Sequence, residues 1–187
     1  MSFRITFVFA ILALVVGGYV VLFELQKTTE SEPKPLWFYN VRDDDIKRIS
    51  ITHRTADSEE TLAFTKQSGK EFKWYFDDGT GREVDLIRWG GIPLLVTGPR
   101  SKRVLEDTVS DLTPYGLKTP RTIVEVTLNN GRNIIVKVGD TAPDGKGSYA
   151  QLDGFSALFL IDPSWGEVLS RLVLEPPVTP YAQSPAG

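Results

Sequence analysis

Two aspartates in one glycine-rich stretch are the residues whose types and spacing come nearest to a metal site. Asp140 and Asp144 lie in the sequence GDTAPDGKG. A calcium loop needs several oxygen ligands at set offsets and commonly closes with a bidentate acid. This stretch supplies two carboxylates and places Lys146 where a further acid would be needed. The pattern therefore favours a surface loop, and we expect no metal or cofactor site in it.

A second acidic run and the single histidine are the next candidates. Asp43, Asp44 and Asp45 are consecutive, but Arg42 and Lys47 flank them, which is typical of a solvated turn. His53 follows an alternating segment and could respond to pH. A histidine on the surface of a strand explains the same position more simply. We therefore expect no catalytic residue in either place.

Three cations stand close together at Arg100, Lys102 and Arg103. They could face acidic lipid headgroups or an acidic patch on a partner protein. The alternative is a soluble loop, in which three cations are common. Together with Trp37 and Tyr181 they are our candidate partner contacts.

Composition excludes several classes of function. The 187 residues contain no cysteine and one histidine, and the formal net charge is −3. No cysteine means no thiolate nucleophile, disulfide or iron–sulfur cluster. The charge balance lacks the basic excess typical of nucleic-acid binding, so nucleic acid is not an expected partner. The sequence also lacks a glycine-rich phosphate loop and a Gly-x-Ser-x-Gly element, so we predict that the protein is not an enzyme.

An uncharged apolar run from residue 5 to residue 23 predicts a membrane helix. As a helix it would be about 28 Å long, close to the ~30 Å apolar thickness of a bilayer. A cleaved signal peptide is the alternative, but such a peptide has a shorter apolar core and a small-residue cleavage site. Gly17 and Gly18 would allow close approach of another membrane helix. The basic residues on the two flanks nearly balance, and the short N-terminal flank favours a cytoplasmic N-terminus with the domain in the periplasm or lumen.

Alternating apolar residues predict antiparallel strands in two series. The first series covers 46–51, 62–64 and 72–76, and a broken helix is expected within 84–96. The second series includes a hairpin at Asn129-Asn130-Gly131 and a helix opened by Pro163, with Trp165, Val168, Leu169 and Leu172 on one face. The aromatic residues at 37–39 favour a core strand, with an interfacial belt as the alternative.

This layout predicts an α+β fold in which a single transmembrane helix precedes a β-rich exported domain of two meander-plus-helix half-repeats. The expected boundaries are an anchor at 1–27, a linker at 28–35, half-domains at 36–111 and 112–174, and a proline-rich tail at 175–187. The tail cannot continue a helix and should extend over a surface or be mobile.

Two short motifs carry a resemblance to a known family. Tyr115-Gly116-Leu117 precedes the predicted hairpin, and Val138-Gly139-Asp140 follows it. The order of these motifs resembles the bacterial membrane-anchored domain-of-unknown-function family 4340, over about residues 45 to 173. The resemblance implies a membrane-anchored protein without established enzymatic activity, in some cases linked to gliding-type ABC transporter components. Gly116 is expected to end a helix in a left-handed conformation, and Gly139-Asp140 to end a strand.

We therefore expect a non-catalytic accessory or scaffold subunit of a larger membrane complex, either transporter-associated or a photosynthetic or respiratory assembly. Its expected partners are integral membrane subunits and the lipid bilayer, in an inner or internal membrane. The alternative is an anchored module that binds a polysaccharide or peptide through Trp74, Trp89 and Trp165. The exposure of these tryptophans discriminates between the two, because a stacking platform must face solvent.

Overall fold

The computed structural model describes residues 38–67 and 73–179, together with Val16, Gly18 and Tyr19, which are helical. The chain divides into two compact units, Met1–Lys34 and Pro35–Gly187. The predicted anchor and linker fall almost wholly outside the described residues, as does the tail from residue 180 onward. The architecture below is that of the second unit.

Residues 38–67 and 73–179, the part of this unit that the structure describes, contain eight strands and three α-helices. The strands are β1 (Ile46–Arg54), β2 (Glu59–Lys66), β3 (Trp74–Phe76), β4 (Ser101–Glu106), β5 (Thr122–Leu128), β6 (Asn133–Thr141), β7 (Ser148–Leu152) and β8 (Leu158–Ile161). The helices are α1 (Leu86–Trp89), α2 (Ile92–Leu95) and α3 (Pro163–Leu174). Short 3-10 turns lie at Asp43–Asp45 and Thr113–Tyr115.

All eight strands belong to one antiparallel sheet in the order β3-β2-β1-β5-β6-β7-β8-β4. The α+β class is thereby confirmed. The two predicted series meet at the β1–β5 pair and share the sheet, and β4 leaves the first series to pair with β8. The half-repeat relation and its boundary at residue 111 stay predictions.

The core lies between the sheet and α3, which packs on β1, β2 and β5. Alternation along the strands supplies the sheet side of this core: Ile49 and Ile51 from β1 and Val124 and Val126 from β5 are fully buried. Asp162 caps α3, its Oδ1 accepting a hydrogen bond from the Ser164 main-chain N–H at 3.0 Å.

Several local expectations are confirmed. The Asn129-Asn130-Gly131 turn joins β5 to β6, with Gly131 at φ 83°, as a tight hairpin turn requires. Helix α3 begins at Pro163 and ends at Leu174, ahead of the proline-rich residues. The broken helix is observed as α1 and α2, separated at Gly90 and Gly91.

Four expectations are wrong, and the first three concern β4, α3 and Phe38. The cations at 100–103 do not lie in a loop, because residues from Ser101 onward form β4 at the edge of the sheet. Val168 does not share the buried face of α3 and is 41% exposed. Phe38 is buried as expected but does not lie in a strand, since the segment around it makes only isolated main-chain hydrogen bonds.

Gly139 and Asp140 also differ from expectation. They do not end their strand, because β6 continues to Thr141. The register of β6 against β7 shifts between Val138 and Thr141, so the strand absorbs the irregularity and continues.

Candidate interaction surface

Residues 38–41, the lead-in segment, are the first residues of the domain that the structure describes, and they lie along residues 96–99. The Phe38 N–H donates to the Pro99 carbonyl oxygen at 3.3 Å, and the Val41 N–H to that of Thr97 at 2.8 Å. The Tyr39 hydroxyl donates to the Val96 carbonyl at 2.7 Å, and burial raises the pKa of this phenol above its ordinary value. The chain therefore joins the domain directly beside α2.

Helices α1 and α2 carry three exposed apolar side chains, which we name the apolar ridge: Leu86, Ile87 and Leu94. These residues are 57%, 92% and 69% exposed. Each helix has a single turn, so only part of it can face the core, and Trp89 and Ile92 take those positions. Exposed large apolar side chains are typical of a contact surface where they form a contiguous patch, and Leu86 and Leu94 line one groove.

The backbone of the ridge is fixed by local hydrogen bonds. The Asp85 carboxylate caps α1, accepting from the Ile87 N–H at 2.9 Å and the Arg88 N–H at 3.1 Å. Gly91 follows with φ 82°, a left-handed conformation that separates the two helices. The Arg88 guanidinium donates to the carbonyl oxygens of Glu175 at 2.7 Å and Pro176 at 2.9 Å. These contacts hold the ridge against the chain that leaves α3.

Two shallow grooves flank Leu94. One, of about 370 Å³, is lined by Leu86, Leu94 and Pro93 together with Trp74 and Trp89, and also by Asp43, Asp44 and Lys66. The other, of about 430 Å³, is lined by Leu94, Arg100, Asp162, Ser164 and Trp165 among others. Leu94 is thus common to both grooves, and the ridge is continuous with the first of the three predicted cations.

The three tryptophans proposed as stacking platforms are buried. Trp74 and Trp89 pack on each other with ring centroids 5.3 Å apart, and Trp89 also packs on Phe64 at 4.4 Å. The Trp165 indole N–H donates to the Leu95 carbonyl at 3.0 Å. None of them offers an open ring face, so the support that these tryptophans lent to the ligand-binding alternative is lost. They line the two grooves that flank Leu94 instead.

The predicted cations Arg100, Lys102 and Arg103 are exposed where β4 forms an edge of the sheet. Lys102 pairs with Asp162 at 3.3 Å and also donates to the Lys146 carbonyl. Hydrogen bonds from the Ser164 hydroxyl and N–H, and then the contact with Lys102, hold the pKa of Asp162 below its usual range. Charged side chains and register shifts on an edge strand also discourage pairing with other chains, and β4 has both.

His53 lies near the C-terminal end of β1. It lines a polar cleft of about 510 Å³ together with Arg54, Arg121 and Asp140. Its Nδ1 is 3.3 Å from the Thr122 hydroxyl oxygen. Burial and then the nearby Arg121 lower the pKa of this imidazole. The carboxylates of Glu59 and Asp140 pair with the two arginines of the cleft, so its charges are largely balanced.

The two motifs that carry the family resemblance lie against each other. A Cβ on Gly139 would stand 2.1 Å from the Tyr115 carbonyl oxygen, and one on Gly116 would stand 2.6 Å from the Asp140 carboxylate. Gly116 follows a 3-10 turn with φ 66°, so the expected left-handed terminus is confirmed. Close packing against backbone explains Gly139, whereas the left-handed φ and the adjacent Asp140 side chain explain Gly116.

The remaining predicted contacts have the following positions. Gly17, Trp37 and Tyr181 lie outside the described residues, and Gly18 is helical with open space around it.

Within residues 38–67 and 73–179 and at the three described N-terminal positions, no group of acids and histidine is arranged to hold a metal ion. Among these same residues no helix is both long and apolar enough to span a membrane.

Sequence reasoning did not find the apolar ridge. The signal was present, because Leu86, Ile87 and Leu94 stand in helical turns too short to bury every apolar residue.

Comparison with known proteins adds no assignment: no family model, curated protein or solved structure matches the chain.

Proposed function

We propose that this protein is a non-catalytic accessory subunit of a membrane protein complex. One N-terminal helix at residues 5–23 anchors it, with the N-terminus in the cytoplasm and the domain on the periplasmic or lumenal side. In its finer architecture the domain consists of two meander-plus-helix half-repeats within the single sheet. Integral membrane subunits are the partners, in an inner or internal membrane.

One observation carries this proposal: Leu94 of the exposed apolar ridge lines a groove with residues 97–99, along which the lead-in segment runs. The lead-in segment is where an anchored chain would arrive, and exposed apolar side chains are needed for a contact surface rather than for folding. The buried tryptophans remove support from the ligand-binding alternative, because a stacking platform must face solvent.

The first test is purification of the tagged full-length protein from its native membrane in mild detergent, with mass spectrometry of the proteins that accompany it. The expected result is a stoichiometric set of membrane subunits. Recovery of the protein alone, reproducibly and in several detergents, would contradict the proposal.

A second test examines the helix face of Gly17 and Gly18. The double substitution Gly17→Leu and Gly18→Leu should disrupt assembly, because the added side chains would prevent close helix contact. Val16→Leu is the matched control, since at 100° per residue Val16 lies on the opposite side of the helix. Assembly that survives the double substitution would refute the helix contact.

A further inference from the structure

We propose that residues 175–178, which we name the C-terminal strap, form a latch that holds α1 in place, and that Arg88 is the residue that fastens it. With the strap bound, α1 is formed and the ridge presents Leu86 and Ile87. With the strap released, α1 unfolds and this part of the ridge is lost. The inference rests on the proposed function, in which the ridge is the contact surface, and it goes further by assigning to the fold a device that regulates that surface.

Helix α1 needs support from outside its own sequence. It has four residues, and a main-chain hydrogen bond from the Trp89 N–H to the Asp85 carbonyl oxygen, at 2.9 Å, closes its turn. A single helical turn carries the cost of nucleation without the gain of propagation, so it is not stable alone. The contacts that α1 makes with the rest of the domain therefore decide whether it forms.

The strap contacts the chain at the start of α1. The Asp85 N–H donates to the Pro177 carbonyl oxygen at 2.8 Å. Beside this bond, Val84 and Val178 form an isolated antiparallel bridge. Pro177 is buried, and Val178 packs against the core. The strap is therefore seated on the domain by apolar side chains as well as by its backbone.

Arg88 makes the corresponding contact at the end of α1. Its guanidinium donates to the Glu175 carbonyl oxygen at 2.7 Å and to that of Pro176 at 2.9 Å. Glu175 is the C-terminal cap of α3, where main-chain carbonyl groups lack partners within the helix and carry partial negative charge. The fixed fork of a guanidinium suits two adjacent carbonyl oxygens. Arg88 thus ties α1 to the end of the main helix.

The latch can open without unfolding the whole domain. Proline has no N–H, so Pro176 and Pro177 offer only acceptors, and the strap cannot form a continuous ladder with residues 83–85. The Arg88 side chain is 42% exposed, so water can replace the carbonyl oxygens that it contacts. Segments held by few contacts and by exposed hydrogen bonds open at a lower free energy than the core.

Closure of the strap and binding of a partner at the ridge therefore favour each other. A partner that contacts Leu86 and Ile87 binds the state in which α1 is formed, and by thermodynamic linkage it stabilises the closed strap by the same factor. Release of the strap lowers the affinity of the ridge, because a smaller fraction of the protein is then competent to bind.

The experiment replaces Arg88 by methionine, which keeps an apolar stem and removes the donors. Hydrogen exchange is followed by mass spectrometry on the full-length protein in mild detergent, in peptides that cover residues 84–90, residues 175–179 and β5. Arg82→Met is the matched control, because the Arg82 side chain has a similar exposure of 46% and its guanidinium pairs with Asp78, at 2.8 Å, in the turn after β3.

Arg88→Met should accelerate exchange about tenfold or more in residues 84–90 and 175–179 together, with β5 unchanged. Arg88→Lys should give a smaller acceleration, because an ammonium lacks the fork that reaches both carbonyl oxygens. Arg82→Met should leave both segments unchanged. Acceleration at 84–90 without acceleration at 175–179 would overturn the proposal, because α1 would then open independently of the strap. Equal acceleration in β5 would also overturn it, since the loss of stability would be global.

Recovery of partner subunits separates this inference from the proposed function. In the purification from the native membrane, Arg88→Met should retain about threefold less of the accompanying subunits than Arg82→Met. Accelerated exchange with full recovery would refute the regulation of the ridge and leave the accessory-subunit proposal standing. If the parent protein itself recovers no subunits, the accessory-subunit proposal fails, and the exchange result alone decides whether the latch exists.

Discussion

Replacing Gly139 with alanine should destabilise the domain severely, although the change adds a single methyl group. The new Cβ would lie 2.1 Å from the Tyr115 carbonyl oxygen and 3.0 Å from the Gly116 carbonyl carbon. Both neighbours are backbone atoms, so relief requires β6 or the 115–117 turn to move by about 1 Å. Gly139 does not have a positive φ, so the conformation itself suits alanine and the cost is steric.

The magnitude follows from two opposing terms. Overpacking in a well-packed region costs about 1–3 kcal/mol and occasionally more, and a clash with backbone belongs at the upper end. The smaller entropy of the unfolded alanine chain returns about 0.4–1 kcal/mol. We expect the free energy of unfolding to fall by about 2–3 kcal/mol, which lowers Tm by about 4–12 °C in a domain of this size.

Thermal unfolding of the full-length protein in detergent, followed by tryptophan fluorescence, measures this change, because three tryptophans are buried in the domain. Gly131→Ala is the control: a Cβ there meets open space, and its φ of 83° should cost only about 1–2 kcal/mol. Asp140→Asn should cost under about 1 kcal/mol, because the exposed carboxylate lies 3.9 Å from Arg121. A Gly139→Ala protein as stable as the parent would refute the close packing of the two motifs.

Three further predictions test other parts of the domain. Trp165→Phe should cost about 1 kcal/mol more stability than Trp89→Phe in denaturant titrations, because it loses the hydrogen bond to the Leu95 carbonyl. The buried Trp89 indole N–H has no partner among the described residues, so Trp89→Phe loses no such bond. Equal losses of stability in the two variants would contradict this prediction. Burial, and then a neighbouring arginine, lower the folded-state pKa of His53. The neutral imidazole of His53 therefore makes a contribution to stability that is complete above the unfolded pKa of about 6.5 and is lost as pH falls through the folded pKa. NMR titration of His53 should give a pKa below about 6.5. A measured pKa at or above that value would contradict the prediction. Gly98→Ala would place a Cβ 2.1 Å from a carbonyl oxygen of the lead-in segment, so hydrogen exchange there should accelerate at least tenfold more than in β5, and uniform acceleration would argue against a local effect.

The elements that the sequence predicts well are those whose signal is local. Alternation gives the faces of β1, β5 and β6, because successive side chains of a strand point to opposite sides. Asn130-Gly131 and Pro163 mark a turn and a helix start through the backbone conformations that these residues favour. Each of these signals is complete within about ten residues, so no knowledge of the rest of the fold is needed.

Strand β4 was missed because its sequence signal is weak. Its cations are equally typical of a loop, and its pairing with β8 is irregular. Only this pairing, with residues more than fifty positions away, makes the segment a strand. Val168 shows the same limit on α3, since helical spacing predicts which residues share a face but not where the edge of the covering sheet lies.

The sequence by itself therefore determined the class of fold, the positions of most strands, the main helix and the apolar run that predicts an anchor. Only the tertiary structure decided that both series share one sheet, that Gly139 lies against Tyr115, and that Leu86, Ile87 and Leu94 remain exposed. The physical reason is that burial depends on which surfaces meet. A short apolar helix has the same sequence pattern whether its second face finds a neighbour or is left for a partner outside the chain.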